Sequence, residues 1–195
     1  MRRIVLASNN PGKLRELAAL LARMAIEVIP QSRLGIAEAE EPHESFLENA
    51  LAKARHASRA SGLPALADDS GLCVNALGGA PGVHSAYYAG REVSREERDA
   101  RNNRKLLASV GDDRKAHYAC VMALVRSAED PAPLIAEGAW HGEIARVARG
   151  ANGFGYDPLF LLPGRGLTAA QLPAQEKNRI SHRGMALVRL LAVLS

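Results

Sequence analysis

Asp68 and Asp69 follow directly on the apolar run Leu63-Pro64-Ala65-Leu66-Ala67 and directly precede Ser70-Gly71. A short apolar run of this kind reads as a buried strand, and the glycine beyond it marks where the chain turns. The fold therefore has to carry two adjacent carboxylates to the end of a buried strand. Acidic side chains in that position sit on a rigid scaffold and face a cleft, where a hard cation such as Mg²⁺ can be held. The plainer reading is a solvated turn, because Asp, Ser and Gly are ordinary turn residues. The rest of the chain decides between the two.

A length of 195 residues favours one domain over residues 1–195, large enough to bury a core without a disulfide or metal staple. Hydrophobic content of 47% and charged content of 24% are those of a soluble globular protein. The formal net charge is +4 and the pI near 9.3, with the basic residues scattered along the chain. Cys73 and Cys120 lie in apolar contexts without CxxC spacing and read as small buried hydrophobes in a reducing compartment. The apolar run Ile4 to Ala7 is too short for a signal peptide, and no run approaches the roughly 18 residues of a membrane span. A cytoplasmic protein without a membrane partner is expected.

Hydrophobic spacing predicts a strand at Ile4 to Ala7, then a helix with Leu14, Leu17, Ala18 and Leu21 on one face. Val28 and Ile29 form a short strand closed by Pro30. Ser45-Phe46-Leu47-Glu48 has the form of a capping box and opens a helix that Gly62 stops. Leu72 to Val74 reads as a further strand, Gly78 to Gly82 as rigid turns, and Ser94 to Glu97 as a helix start. His117 to Val125 is a long strand. Leu134 to Ala136 and Ala139 to Val147 read as an antiparallel pair, and a last helix runs from Ser181 to Leu194. Helices alternating with strands, followed by clustered strands, predict a mixed α/β sheet.

Three further segments carry chemistry. Ser8-Asn9-Asn10-Pro11-Gly12-Lys13 joins a strand to a helix, where outward N–H groups and the helix dipole favour an anion. It is not a Walker A loop, since the first glycine is missing and Leu14 follows the lysine. Lys53 sits beside the apolar face of its helix and either snorkels to solvent or reaches a phosphate. Gly153-Phe154-Gly155-Tyr156-Asp157-Pro158 combines glycines that let backbone approach a ligand with aromatics on which a base can stack. Lys177, His182 and Arg183 gather basic groups at the start of the last helix.

In this order the segments resemble the Ham1/RdgB family of inosine triphosphate pyrophosphatases. The resemblance runs from Ser8 to Ala186. It rests on the Ser8 to Lys13 loop with Glu16, on Phe46-Leu47-Glu48-Asn49-Ala50 with Lys53, and on Ala67-Asp68-Asp69-Ser70-Gly71-Leu72. It continues through Leu77 to Val83, Gly153 to Pro158, and Glu176-Lys177-Asn178-Arg179-Ile180-Ser181-His182-Arg183-Gly184. It implies an elongated α/β fold, a mixed sheet with flanking helices in two lobes around a central active-site cleft, assembled as a homodimer. It implies Mg²⁺-dependent hydrolysis of ITP, dITP and XTP to monophosphate and pyrophosphate, clearing deaminated purines from the nucleotide pool. Carried over residue by residue, Ser8, Asn9, Asn10, Pro11, Gly12, Lys13, Lys53, Ser70, Phe154, Gly155, Tyr156, Asp157, Lys177, His182 and Arg183 contact the nucleotide. Asp69 is the acid–base residue and, with Asp68 and either Glu40 or Glu41, a metal ligand. One departure stands out: the family commonly has Arg where this chain has Tyr87, in Ser85-Ala86-Tyr87-Tyr88-Ala89-Gly90.

The implied reaction asks for a water aligned on the α-phosphorus, a base to take its proton, and cations for the leaving group. Discrimination of hypoxanthine and xanthine from adenine follows from fixed backbone N–H donors aimed at the 6-oxo group, which adenine's amino group would oppose. Three alternatives remain open. A Maf-like pyrophosphatase of other base preference lacks the Ser181-His182-Arg183 signature. A nucleic-acid-binding module is disfavoured by the acidic stretch from Glu38 to Glu44 and the low aromatic content of 4%. A non-catalytic nucleotide sensor has no need of the Asp68-Asp69 pair.

Overall fold

The computed structural model describes residues 3–22, 26–92 and 94–193. The elements, in chain order, are β1 (Arg3–Leu6), α1 (Pro11–Leu21), β2 (Glu27–Pro30), α2 (Phe46–Ser61), β3 (Ala65–Val74), α3 (Arg95–Ser109), β4 (Lys115–Val125), β5 (Leu134–Ile144), β6 (Phe160–Leu162), β7 (Leu167–Thr168), α4 (Ala174–Ile180) and α5 (His182–Ala192). The strands form one sheet in the order β2-β1-β3-β4-β5-β6-β7. β1 is parallel to β2 and to β3, while β5, β6 and β7 are antiparallel neighbours. Parallel neighbours need a crossover, and α1 and α2 supply one each. The mixed α/β sheet expected from the order of elements is present.

Local chemistry sets the helix ends. The Asn10 side chain caps α1 and Pro11 occupies its first turn, where a missing N–H costs nothing. Ser45 accepts from the Glu48 N–H and donates to its carboxylate, and α2 ends at Gly62 in the left-handed region, φ 68°. Ser94 caps α3 through the Glu97 N–H.

The structure corrects two strand readings. Asp68 and Asp69 do not end a strand, and Gly71 does not turn the chain: β3 runs unbroken through all three to Val74. Gly71 is required by proximity instead, because a Cβ there would collide with the Gly82 carbonyl oxygen and lie 2.5 Å from Ser85 Oγ. Likewise, Leu134 to Ile144 is one strand and not a hairpin. Its burial alternates through Glu137 and Gly138, with Ala136 and Trp140 inward. Gly142 leaves room for Phe160, whose Cζ would be 2.8 Å from a Cβ there. The strands β6 and β7 are too short to show a period, and with α4 they were not expected from sequence. In the last helix, Leu194 lies outside the described residues, and α5 is described to Ala192.

The chain divides into two compact units. The first comprises Met1–Asp69, Cys120–Gly138 and Arg183–Ser195, and the second Ser70–Ala119 and Ala139–His182. The first unit has two apolar clusters. Ile4, Leu6 and Leu66 pack with Leu17 of α1 and Leu187 of α5, while Val5, Ala7, Ala65 and Ala67 pack with Ala50, Ala54 and Ala57 of α2. Cys120 is buried and Cys73 only half-buried, both free thiols. Among the described residues no helix is long and apolar enough to cross a membrane.

Gly71→Ala is expected to cost roughly 1–3 kcal/mol through overpacking, lowering Tm by several degrees. Gly111→Ala is the control, since a Cβ there meets nothing within 4 Å. Calorimetry on both variants measures the difference.

Candidate active site

Successive residues of a strand point to opposite faces. That rule, applied to β3, separates the two carboxylates. Leu66 belongs to the cluster of α1 and α5, and two residues on, Asp68 meets a cation from each of those helices. Lys13 Nζ lies 3.0 Å from Asp68 Oδ2, and Arg183 Nε lies 3.3 Å from the same oxygen. Ala65 and Ala67 belong to the cluster of α2, and two residues on, Asp69 meets Lys53 of α2 at 2.9 Å. The two carboxylates therefore do not converge on one point.

Their electrostatics differ accordingly. Burial opposes the charge of Asp68, but the Lys13 ammonium and the Arg183 guanidinium outweigh it and hold the carboxyl well below its usual range. For Asp69 burial prevails over Lys53 and Lys13, and the carboxyl is raised. Burial also disfavours the charge of Lys53, yet Asp69 and Glu41 keep its ammonium firmly protonated. Lys53 bonds to both Asp69 and Glu41, so two carboxylates converge on one positive group. Glu40, next to Glu41 in the chain, is exposed. Arg183 is fully buried and also paired with Glu16.

The Ser8 to Lys13 loop folds around its own cap. Asn10 Oδ1 accepts from the N–H groups of Gly12 and Lys13 at 2.9 and 3.1 Å, so the first N–H groups of α1 are already bonded. Ser8 Oγ accepts from the Asn10 N–H, and Asn9 Oδ1 from Gln31 Nε2. Lys13 is turned onto Asp68. Pro11 is exposed and Gly12 buried in the first turn, while Ser70 is half-buried in β3.

The second unit holds the aromatic set. Gly153 has φ 78°, and a Cβ there would collide with the Asp157 carboxylate. Asp157 closes this turn by accepting from the Phe154 N–H at 2.8 Å. The N–H of Gly155 donates to Asp99 at 3.0 Å, and its carbonyl accepts from Asn103 at 3.0 Å. Tyr156 is buried and its hydroxyl donates to the Ser85 carbonyl at 2.8 Å. Lys177, 3% exposed, is paired with Asp157, and its Nζ lies 5.0 Å from the centre of the Phe154 ring. His182 is buried against Tyr118 and Trp140. The Ser-His-Arg motif thus divides, His182 serving the second unit and Arg183 the first. At the departure from the family pattern, the guanidinium groups of Arg91 and Arg98 lie over the Tyr87 ring at 4.1 and 4.6 Å, so positive charge persists there.

Sequence reasoning gave no site role to Asn49, Asp99, Asn103 or Tyr118. Asn49 is buried, exchanges hydrogen bonds with the backbone of His43, and reaches Asp69 Oδ2 at 3.5 Å. An amide in the apolar face of α2 was the available signal. The other three act across long separations that no local pattern reveals.

The profile of the Ham1 family matches residues 4–193. A dITP/XTP pyrophosphatase of Bordetella pertussis is 63% identical over 194 residues, covering 98% of this chain and 90% of the relative. One of Burkholderia pseudomallei is 62% identical, covering 98% and 93%. The structure of a HAM1 protein from Coxiella burnetii superposes with a TM-score of 0.89 at 52% identity, covering 100% of this chain and 98% of that one. The open mixed sheet of this chain is thus the fold of these Ham1 proteins. The chain belongs to the Ham1 family.

Breaking a buried pair strands its partners, so Asp68→Asn is expected to cost roughly 3–5 kcal/mol at neutral pH. Because the folded carboxyl lies below its ordinary value near 3.9, its stabilisation is present above that value and is lost as pH falls below it. The Tm gap between wild type and variant should therefore shrink as pH drops below about 4. Asp69→Asn, which leaves Lys53 with Glu41 and removes a charge that burial disfavours, should cost less than Asp68→Asn.

Proposed function

We propose that this chain hydrolyses the non-canonical purine nucleoside triphosphates ITP, dITP and XTP to monophosphate and pyrophosphate. The observation that carries the reading is that β3 sets two neighbouring carboxylates in different surroundings, Asp68 between Lys13 and Arg183 and Asp69 against Lys53, which it shares with Glu41. Environments that push adjacent acids apart mark a division of labour. Asp68, held ionised by two cations, organises the first unit; Asp69, raised by burial, is suited to take a proton. The names of the relatives support the same chemistry.

The donor set fits Mg²⁺. Asp69 and Glu41 already share one cationic group, Lys53. Mg²⁺ takes one or two protein carboxylates and completes its octahedron with waters and substrate phosphates. Asp69 and Glu41 would hold the ion, with Asp68 committed to Lys13 and Arg183. When bound, the ion neutralises phosphate charge and acidifies a bound water.

The chain's own residues do the rest. Water forms a bond to the α-phosphorus as the bond to the bridging oxygen breaks. The proton goes to the Asp69 carboxylate, and the electron pair leaves with pyrophosphate. Lys53 orients Asp69, and with Lys13 it stabilises the charge that develops on the phosphates. In the second unit, the Phe154 ring gives any base a stacking surface. The N–H groups of Phe154 and Gly155 are committed to Asp157 and Asp99; Lys177, paired with Asp157 beside the Phe154 ring, is a side-chain donor for a 6-oxo group. Adenine's amino group would oppose that ammonium donor to donor.

A panel of nucleoside triphosphates assayed for pyrophosphate release tests the reading. ITP and XTP should exceed ATP and GTP in kcat/KM by at least about 100-fold, roughly 2.7 kcal/mol in transition-state binding. Comparable rates on all four would overturn the specificity. Asp69→Asn should retain less than about a tenth of the wild-type rate, measured on protein shown by calorimetry to be folded. Chelation should abolish turnover and added Mg²⁺ restore it.

A further inference from the structure

The second unit contains a buried aromatic residue that touches two of its polar groups at once. Tyr118, on β4, is 7% exposed. Its ring stacks on His182 with centroids 4.6 Å apart and planes 9° from parallel. Its hydroxyl donates to Asp157 Oδ1 at 3.4 Å, the carboxylate that also caps the Phe154 turn and pairs with Lys177. Phe160 and Trp140 also lie against the ring, with centroids 4.7 and 6.4 Å away.

An imidazole can rotate about its bond to Cβ, and its two nitrogens point usefully only when the ring plane is fixed. A near-parallel neighbour at 4.6 Å fixes that plane, because rotation would drive the imidazole edge into the phenol face. The same residue, through its hydroxyl, adds a neutral donor to a carboxylate already paired with an ammonium. Such buried polar sets work as units, and each partner holds the others' geometry.

We infer that Tyr118 is a positioning residue for base selectivity: by stacking it fixes the plane of His182, and through its hydroxyl it ties that ring to Asp157 and hence to Lys177. The inference rests on the reading of the second unit as the part that meets the base. Tyr118 itself need not touch the substrate.

Two variants test it. Tyr118→Leu removes both the stack and the hydroxyl, and Tyr118→Phe restores the stack. The Leu variant should raise KM for ITP by about 10-fold or more and change kcat by less than about 3-fold, because positioning of the base affects binding more than the reacting phosphate. It should also narrow the preference for ITP over GTP by about 5-fold or more, and the Phe variant should recover most of both losses. Independently of activity, the ring-current shift of the His182 imidazole protons, assigned with His182→Ala, should persist in Tyr118→Phe and shrink in Tyr118→Leu to the smaller contribution of the more distant Trp140. Equal losses on ITP and GTP would reduce Tyr118 to a packing residue, and a Phe variant no better than the Leu variant would overturn the stacking role. If the wild-type protein showed no preference for ITP, the base reading itself would fall and this inference with it. A wild-type preference left unmoved by Tyr118→Leu would overturn this inference alone.

Discussion

The first unit depends on a single strand carrying one carboxylate to each of its faces. Pleating gives Asp68 to α1 and α5 and Asp69 to α2. A one-residue slip of β3 that presented Asp69 to the pair Lys13 and Arg183 would set Ser70, not a carboxylate, against Lys53. The apolar residues before them, Ala65, Leu66 and Ala67, fix the register by filling their own clusters. Fold and chemistry are therefore set by the same alternation.

From this follows the unequal treatment of two side chains that are chemically identical. Asp68 is enclosed by permanent cations and serves as an anchor among three elements. Asp69 has one ammonium, shared with Glu41, and a raised carboxyl. The second unit shows a parallel economy of groups: Asp157 caps its own turn, pairs with Lys177 and accepts from Tyr118, so one carboxylate organises much of the aromatic set.

Much of this was legible in the sequence, where local chemistry decides the outcome. Asn10-Pro11, Ser45 to Glu48 and Gly62 announce helix ends because their side chains or dihedrals act within three residues. The segments that carry the resemblance named the Lys53 and Asp69 neighbourhood. Gly71 misled because a glycine that turns a chain and one that admits a neighbouring backbone look alike in one dimension. Leu134 to Ile144 was divided in two because Glu137 and Gly138 break its apolar character without breaking its alternation. The motif singled out Arg183, but nothing in it announced the partners of its buried guanidinium, Glu16 and Asp68, 167 and 115 residues away. Such distances leave no periodic trace.

On the seam between α2 and the sheet, the helix presents Ala50, Ala54 and Ala57, all fully buried, to Val5, Ala7, Ala65 and Ala67 of the strands. Methyl groups are the smallest side chains that still exclude water, so the helix backbone lies as near the strands as apolar packing allows. Lys53 projects from that same helix, and its reach to Asp69 is measured from this closeness. The alanines therefore work as a gauge. A valine or leucine at any of the three helix positions would preserve hydrophobicity and helix length while lifting the ammonium off its carboxylate. The seam can thus tolerate little drift toward larger residues, even though none of its members takes part in the chemistry.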